Sequence, residues 1–249
     1  MGILMDQMLF EEARDRIIGV SRNRLGIGTL QEKTVHAVIK NYLAPDECMH
    51  EIPIAGYVAD IFTGSEIMEV QNGNFNKLRN KLEAFLPLYP VTVVYPIPYH
   101  KWLIWINDET GELSGKRKSP VTGNPLQTFV ELYKIKNFLD HQNFSLKIIL
   151  LNIEEYRLLN GWSKDRKKGS VRFDRIPLSL VDEIDIVRVE DYMQLIPEDL
   201  ERPFTVKDFS KAVHVNQRVT QITLHILHHI GVVNRVGKKG NSFLYDVTY

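Results

Sequence analysis

Asp60 and Glu69 are the side chains of this chain best placed to do chemistry. They lie in HEIPIAGYVADIFTGSEIMEVQ, residues 50–71, which reads as three short strands. Val58, Ile61 and Phe62 belong to the second strand, Ile67, Met68 and Val70 to the third. Gly64-Ser65 between them fits a two-residue hairpin turn with glycine first. That register sets Asp60 opposite Glu69 on one face, with Cβ atoms roughly 4.5–5.5 Å apart. Two carboxylates so close, with apolar neighbours, repel each other. Either one is protonated or a cation sits between them. Hard oxygen ligands at that spacing suit Mg²⁺ or Mn²⁺.

The elements that must hold this pair lie on either side. A helix is expected over residues 30–43, where Thr29 and Glu32 form a capping box. Glu32 therefore has two readings: a cap, or a carboxylate pointing over the sheet toward the pair. His36 lies one turn further on the same face. After the strands, Phe75 to Phe85 reads as a helix with Leu78, Leu82 and Phe85 inward and Lys77, Arg79 and Lys81 as its basic residues. VTVVY, residues 91–95, is a continuous apolar strand of the kind buried on both faces. The order is α-β-β-β-α-β, an α/β fold with a mixed sheet flanked by helices.

A helix with Glu, a strand with Asp, a strand with Glu-x-(Lys/Gln) and a following helix resembles the core of the PD-(D/E)XK nuclease superfamily, restriction endonucleases and Holliday-junction resolvases among them. The matching positions are Glu32, Asp60, Glu69 and Gln71, and the resemblance spans about residues 28–106. It implies a restriction-endonuclease-like core in which Asp60, Glu69 and the carbonyl of Val70 hold Mg²⁺ or Mn²⁺ beside a DNA phosphodiester. The third motif residue is usually Lys, which orients and stabilises the attacking hydroxide. Here Gln71 stands in its place, so Lys77 or Arg79 on the next helix is expected to supply the cation.

Composition sets the outer bounds. The chain has 249 residues, with 44% hydrophobic and 25% charged and a formal net charge of +0, so any affinity for nucleic acid must be local. Cys48 is the single cysteine, which excludes an internal disulfide and a multi-Cys zinc site and suits a reducing, cytoplasmic setting. No apolar run approaches the roughly 18 residues of a membrane span. Residues 3–20 read as an amphipathic helix on Leu4, Met8, Leu9, Ala13, Ile17 and Ile18, which packs on the core or on a second copy in a homodimer. Residues 102–106 alternate like a further strand, a helix spans about residues 126–138, and residues 146–152 form another buried strand. Residues 160–175 read as a basic loop, with Lys167 and Lys168 at its centre and Trp162 and Phe173 flanking it. Such a loop can follow a phosphate backbone. Residues 178–201 reverse the sign, with eight acids against Arg188.

From Pro203 the pattern changes again. Thr205 and Asp208 suggest a capped helix start. A second helix over residues 216–230 has Val219, Ile222, Ile226, Leu227 and Ile230 inward, and its other faces carry Gln217, Arg218, Thr220, Gln221 and His225. Gly231 ends it, and two strands follow, joined by GKKGN. Helix, turn, helix and a hairpin with a basic tip resembles the winged helix-turn-helix family over residues 203–249. The resemblance implies DNA as partner, with Gln217, Arg218 and Gln221 on the recognition helix and Arg235, Lys238 and Lys239 in the wing.

The expected organisation is an N-terminal helix (1–24), a nuclease-like domain (25–180), an acidic linker (181–202) and a winged helix (203–249). The expected function is a metal-dependent DNA endonuclease or DNA-processing protein. The alternative is a nuclease-fold DNA-binding protein or transcriptional regulator without catalysis.

Overall fold

The computed structural model describes residues 2–24, 34–160 and 169–248. The chain forms two compact units, each assembled from three separated segments. One comprises Met1–Glu51, Pro96–Gly123 and Ile149–Glu183, the other Ile52–Tyr95, Asn124–Ile148 and Ile184–Tyr249.

Helix α1 (Gly2–Arg24) and helix α2 (Thr34–Leu43) pack on each other in the first unit. The buried ring of Phe10 meets Tyr42 edge-on at 5.6 Å, and Val35, Val38 and Ile39 complete the buried side of α2. These are the i, i+3, i+4 positions of an amphipathic helix.

The strands follow in the expected order: β1 (His50–Ile54), β2 (Tyr57–Phe62), β3 (Ile67–Val70), then a 3₁₀ turn (Phe75–Leu78), helix α3 (Arg79–Phe85) and β4 (Val91–Asn107). With α2 in front, the order is α-β-β-β-α-β. The β2–β3 hairpin has the register expected from the turn, with Ile61 paired to Met68 and Phe62 to Ile67. Thr63 donates its N–H to the Glu66 carbonyl at 3.0 Å, and Gly64 takes φ +94, which its missing Cβ permits. β3 runs parallel to β4, with Glu69 beside Val93 and Val70 beside Val94. α3 is the crossover that a parallel connection requires, and buried Leu78, Leu82 and Phe85 hold this segment down.

Three segments run further than their sequence patterns suggest. β4 continues through residues 102–106 as one strand, with Pro96 and Pro98 inside it. β5 (Arg117–Lys118) pairs with β4. A run of short helical turns follows, Pro125–Thr128, helix α4 (Phe129–Leu132) and Tyr133–Phe138, with a kink at Ile135 where a single helix was expected. β6 covers Phe144–Leu159 and β7 covers Val171–Ile186. Residues 171–175, expected in the basic loop, are strand. So are residues 181–186 of the expected acidic linker, where residues 184–189 read as a strand of which only 184–186 belong to β7. Residues 189–195 form a 3₁₀ helix. Long strands accept polar residues where one face is solvated, so charge runs did not mark their ends. The mixed sheet has the order β1-β2-β3-β4-β6-β7, with β5 on β4.

The second unit also contains helix α5 (Val206–Ala212), helix α6 (Gln217–His229) and the hairpin of β8 (Val233–Lys239) and β9 (Ser242–Val247). Phe204 joins the hairpin through reciprocal N–H to carbonyl bonds with Tyr245, at 2.9 and 2.8 Å. Thr205 caps α5, and its side chain and that of Asp208 close a capping box. Among the described residues no helix is long and apolar enough to cross a membrane.

Candidate functional site

The hairpin register brings Asp60 and Glu69 side by side. Asp60 donates its backbone N–H to Glu69 Oε1 at 3.3 Å, and Val70 donates its backbone N–H to Asp60 Oδ2 at 2.9 Å. Asp is disfavoured in strands; here it replaces a carbonyl in the ladder as acceptor for Val70. Glu69 is fully buried and Asp60 9% exposed. Burial, and next to it the Asp60 charge, push the Glu69 carboxyl up to about 7. Lys81 opposes this, its Nζ donating to Glu69 Oε2 at 2.8 Å and Oε1 at 3.1 Å.

Lys81, then, is the cation at the site, in place of the Lys77 or Arg79 expected there. Lys77 and Arg79 lie at exposed positions. In one continuous α-helix Lys77 and Lys81 would share a stripe. Residues 75–78 instead form a 3₁₀ turn, whose tighter winding rotates Lys77 away. The signal for Lys81 was its place between inward-facing Leu78, Leu82 and Phe85, bordering the buried face. Gln71 follows β3 directly and is half-buried, and its backbone N–H donates to the Val94 carbonyl at 2.9 Å. Glu32 and its capping box lie outside the described residues.

The donor chemistry, carboxylate oxygens with no His or Cys, fits a hard ion such as Mg²⁺ or Mn²⁺, which is commonly held by one or two carboxylates and water. Among the described residues no group of three or more His, Cys, Asp or Glu could hold a metal ion. An ion here would therefore rely on Asp60 and Glu69, with the backbone of the adjoining Val70, and would share Glu69 with Lys81.

The residues expected to meet DNA fall into three sets. Lys167 and Lys168 lie outside the described residues. On α6, Gln217, Arg218 and Gln221 are exposed along its first turns, after the Asn216 cap. Further along α6, Ile226, Leu227 and Ile230 are buried as expected, but so is Thr220, with Thr223 and Leu224, while Val219 and Ile222 are only half-buried. The helix packs against both α5 and the turns at 125–138, so its covered face is wider than one stripe. The buried threonines satisfy their hydroxyls by donating back to the carbonyls of Asn216 (3.1 Å) and Val219 (3.0 Å). His225, expected on an open face, sits against the Tyr133 ring and 3.4 Å from Lys136 Nζ. Burial, with the neighbouring Lys136 charge, lowers its pKa.

In the hairpin, Lys239 pairs with Ser242 and the turn contracts to Gly240-Asn241. Lys238 and Lys239 are thus strand residues rather than loop. Arg235 lies 4.2 Å over the Phe243 ring and Lys238 5.1 Å from it, contacts that hold both cations over an aromatic face.

Residues 33–187 match the model of a family described as "Domain of unknown function (DUF8091)". A protein of Treponema pallidum (strain Nichols), titled "Uncharacterized protein", is 26% identical over 223 residues, 88% of this chain and 86% of the relative. No solved structure matches the chain.

Proposed function

The chain belongs to the DUF8091 family, and we propose that its family segment is a metal-dependent phosphodiester hydrolase acting on DNA, of the PD-(D/E)XK kind. The observation that carries this reading is the convergence of Asp60, Glu69 and Lys81, with Lys81 Nζ within 3.1 Å of both Glu69 oxygens, in an α-β-β-β-α-β order. Asp60, Glu69 and the Val70 carbonyl would hold Mg²⁺ or Mn²⁺, which when bound polarises a phosphate and lowers the pKa of its water. In this reading Lys81 would supply the charge of the missing motif lysine, offsetting the carboxylates and donating to a phosphate oxygen.

The proposed DNA contacts in residues 203–249 are Gln217, Arg218 and Gln221 at the start of α6, the end that reads base edges in helix-turn-helix proteins. Arg235, Lys238 and Lys239 would neutralise phosphates.

The test is incubation of the full chain with plasmid, duplex and branched DNA in Mg²⁺ or Mn²⁺. Cleavage is expected, with losses of at least 100-fold in Asp60→Asn and Lys81→Met, on the order of the contribution of one preorganised charged group to catalysis. Cleavage undiminished in Asp60→Asn refutes the reading. One observation favours a second reading, a DNA-binding protein without catalysis: Lys81 already occupies both Glu69 oxygens, as in a closed structural ion pair. That reading calls for salt-sensitive binding without cleavage in any divalent ion.

A further inference from the structure

Lys81 reaches Glu69 only because α3 enters the site in a particular phase. The 3₁₀ turn at Phe75–Leu78 sets that phase and runs into α3 without a break. Leu78 and Arg79 at the junction both keep right-handed helical angles, φ −76, ψ −22 and φ −51, ψ −53. A 3₁₀ turn winds about 120° per residue and an α-helix about 100°. Rewinding the four residues of the turn as α-helix would rotate α3 by about 80° and draw it back about 2 Å along its axis. Either displacement takes Lys81 Nζ off the two Glu69 oxygens, which it meets at 2.8 and 3.1 Å.

The turn has little of its own to hold it wound. Its hydrogen bonds have the poorer 3₁₀ geometry, and α3, with 7 residues, is too short to stand alone. Asn74 stands where a side chain usually caps, yet it takes left-handed angles, φ 56, ψ 53, and makes no side-chain cap bond. Phe75 is fully buried, so its N–H needs an acceptor. That acceptor comes from α4, in the same unit. Phe75 donates its N–H to Glu131 Oε2 at 2.8 Å. Lys134 Nζ donates to the other oxygen, Oε1, at 2.7 Å, which fixes the oxygen that faces the turn. A carboxylate at this amino end also meets the partial positive charge of the helical segment. α4 gives it a firm base, with Phe129 and Leu132 fully buried and α6 packed against it.

We propose that Glu131 is a positioning residue of the carboxylate site: through the Phe75 N–H it keeps the 3₁₀ turn wound, and so keeps Lys81 on Glu69. The inference rests on reading Lys81 as the cation of that site, and the experiment judges the two separately.

Hydrogen exchange is followed by NMR on the isotopically labelled full chain, at the backbone amides and at the Lys81 ammonium, identified by its loss in Lys81→Met. In Glu131→Ala the Phe75 amide should exchange about 10-fold faster, the measure of one lost buried hydrogen bond. The Lys81 ammonium should then exchange as fast as that of exposed Lys77. Glu131→Gln keeps a carbonyl acceptor for Phe75 and should restore protection at both places. The amides of Val93 and Ile148, buried in the sheet, should keep their native rates, which a general loss of stability would not allow. If Glu131→Ala melts early, Glu131→Asp carries the same test, because it keeps the charge and shortens the reach by one methylene. In the cleavage assay Glu131→Ala should lower kcat and leave KM, with recovery in Glu131→Gln. A native chain that cleaves nothing refutes the hydrolase, while the ammonium signal still decides on Glu131. Unchanged exchange of the Lys81 ammonium in Glu131→Ala or Glu131→Asp overturns the proposal. So does an acceleration shared equally by Val93 and Ile148.

Discussion

Replacing Glu69 by Gln tests the electrostatics of the carboxylate pair without reference to any substrate. The side chain is fully buried, so solvent screening does not blunt the effect. Its carboxyl moves from an ordinary value of 4.5 to about 7 on folding. Between those values the folded protein binds more proton than the unfolded chain, so stability falls as pH rises through this window. At ~1.4 kcal/mol per pH unit the gap is worth about 3 kcal/mol, fully present as a penalty above pH 7 and absent below 4.5. Glu69→Gln keeps the shape and lacks the titration. Urea unfolding of both proteins at pH 5, 6, 7 and 8 measures the difference. The Gln variant should gain about 2–3 kcal/mol on the native protein between the ends of that series. A difference that stays flat, or drifts the other way, would show that Glu69 is ionised throughout and that Lys81 alone governs the pair.

Glu155 behaves in the opposite sense. Its carboxyl is depressed in the folded state, so it contributes stability above its unfolded value that is lost as pH falls through the folded one. Glu155→Gln should cost on the order of 3 kcal/mol at pH 7, and the cost should diminish toward pH 3 in the same unfolding assay. Mn²⁺ at 100 times its Kd should stabilise the native protein by about 2.7 kcal/mol. The Asp60→Asn variant should gain nothing from it, and an equal shift in that variant would place the ion elsewhere. Thr205→Ala, which removes the side-chain acceptor for the Asp208 N–H, should cost about 1 kcal/mol; no change would mean that the cap carries no weight in that unit.

Much of this was legible from local pattern. The hairpin register rests on Gly64-Ser65 and on period-two alternation, both short-range, and Ile61 meets Met68 as expected. The cap at Thr205 and the stop at Gly231 are local for the same reason. Strand ends were harder to place. β7 begins inside a basic run and ends inside an acidic one, and charge does not terminate a strand with a solvated face. Thr220 looked like an outward residue, yet it is buried because α6 is covered on two sides.

The amino-acid sequence alone determined that Asp60 and Glu69 would oppose each other, because turn chemistry and alternation act over a few residues. It also determined that two such carboxylates would need a proton or a cation. Tertiary structure decided which cation arrived: Lys81, placed by a 3₁₀ turn and by the burial of Leu78 and Leu82. It also decided that Lys101, Arg157, Arg172 and Arg175 would meet at Glu155. Those residues lie on three strands distant in the chain, and periodicity along a strand carries no information about which strand will lie beside it.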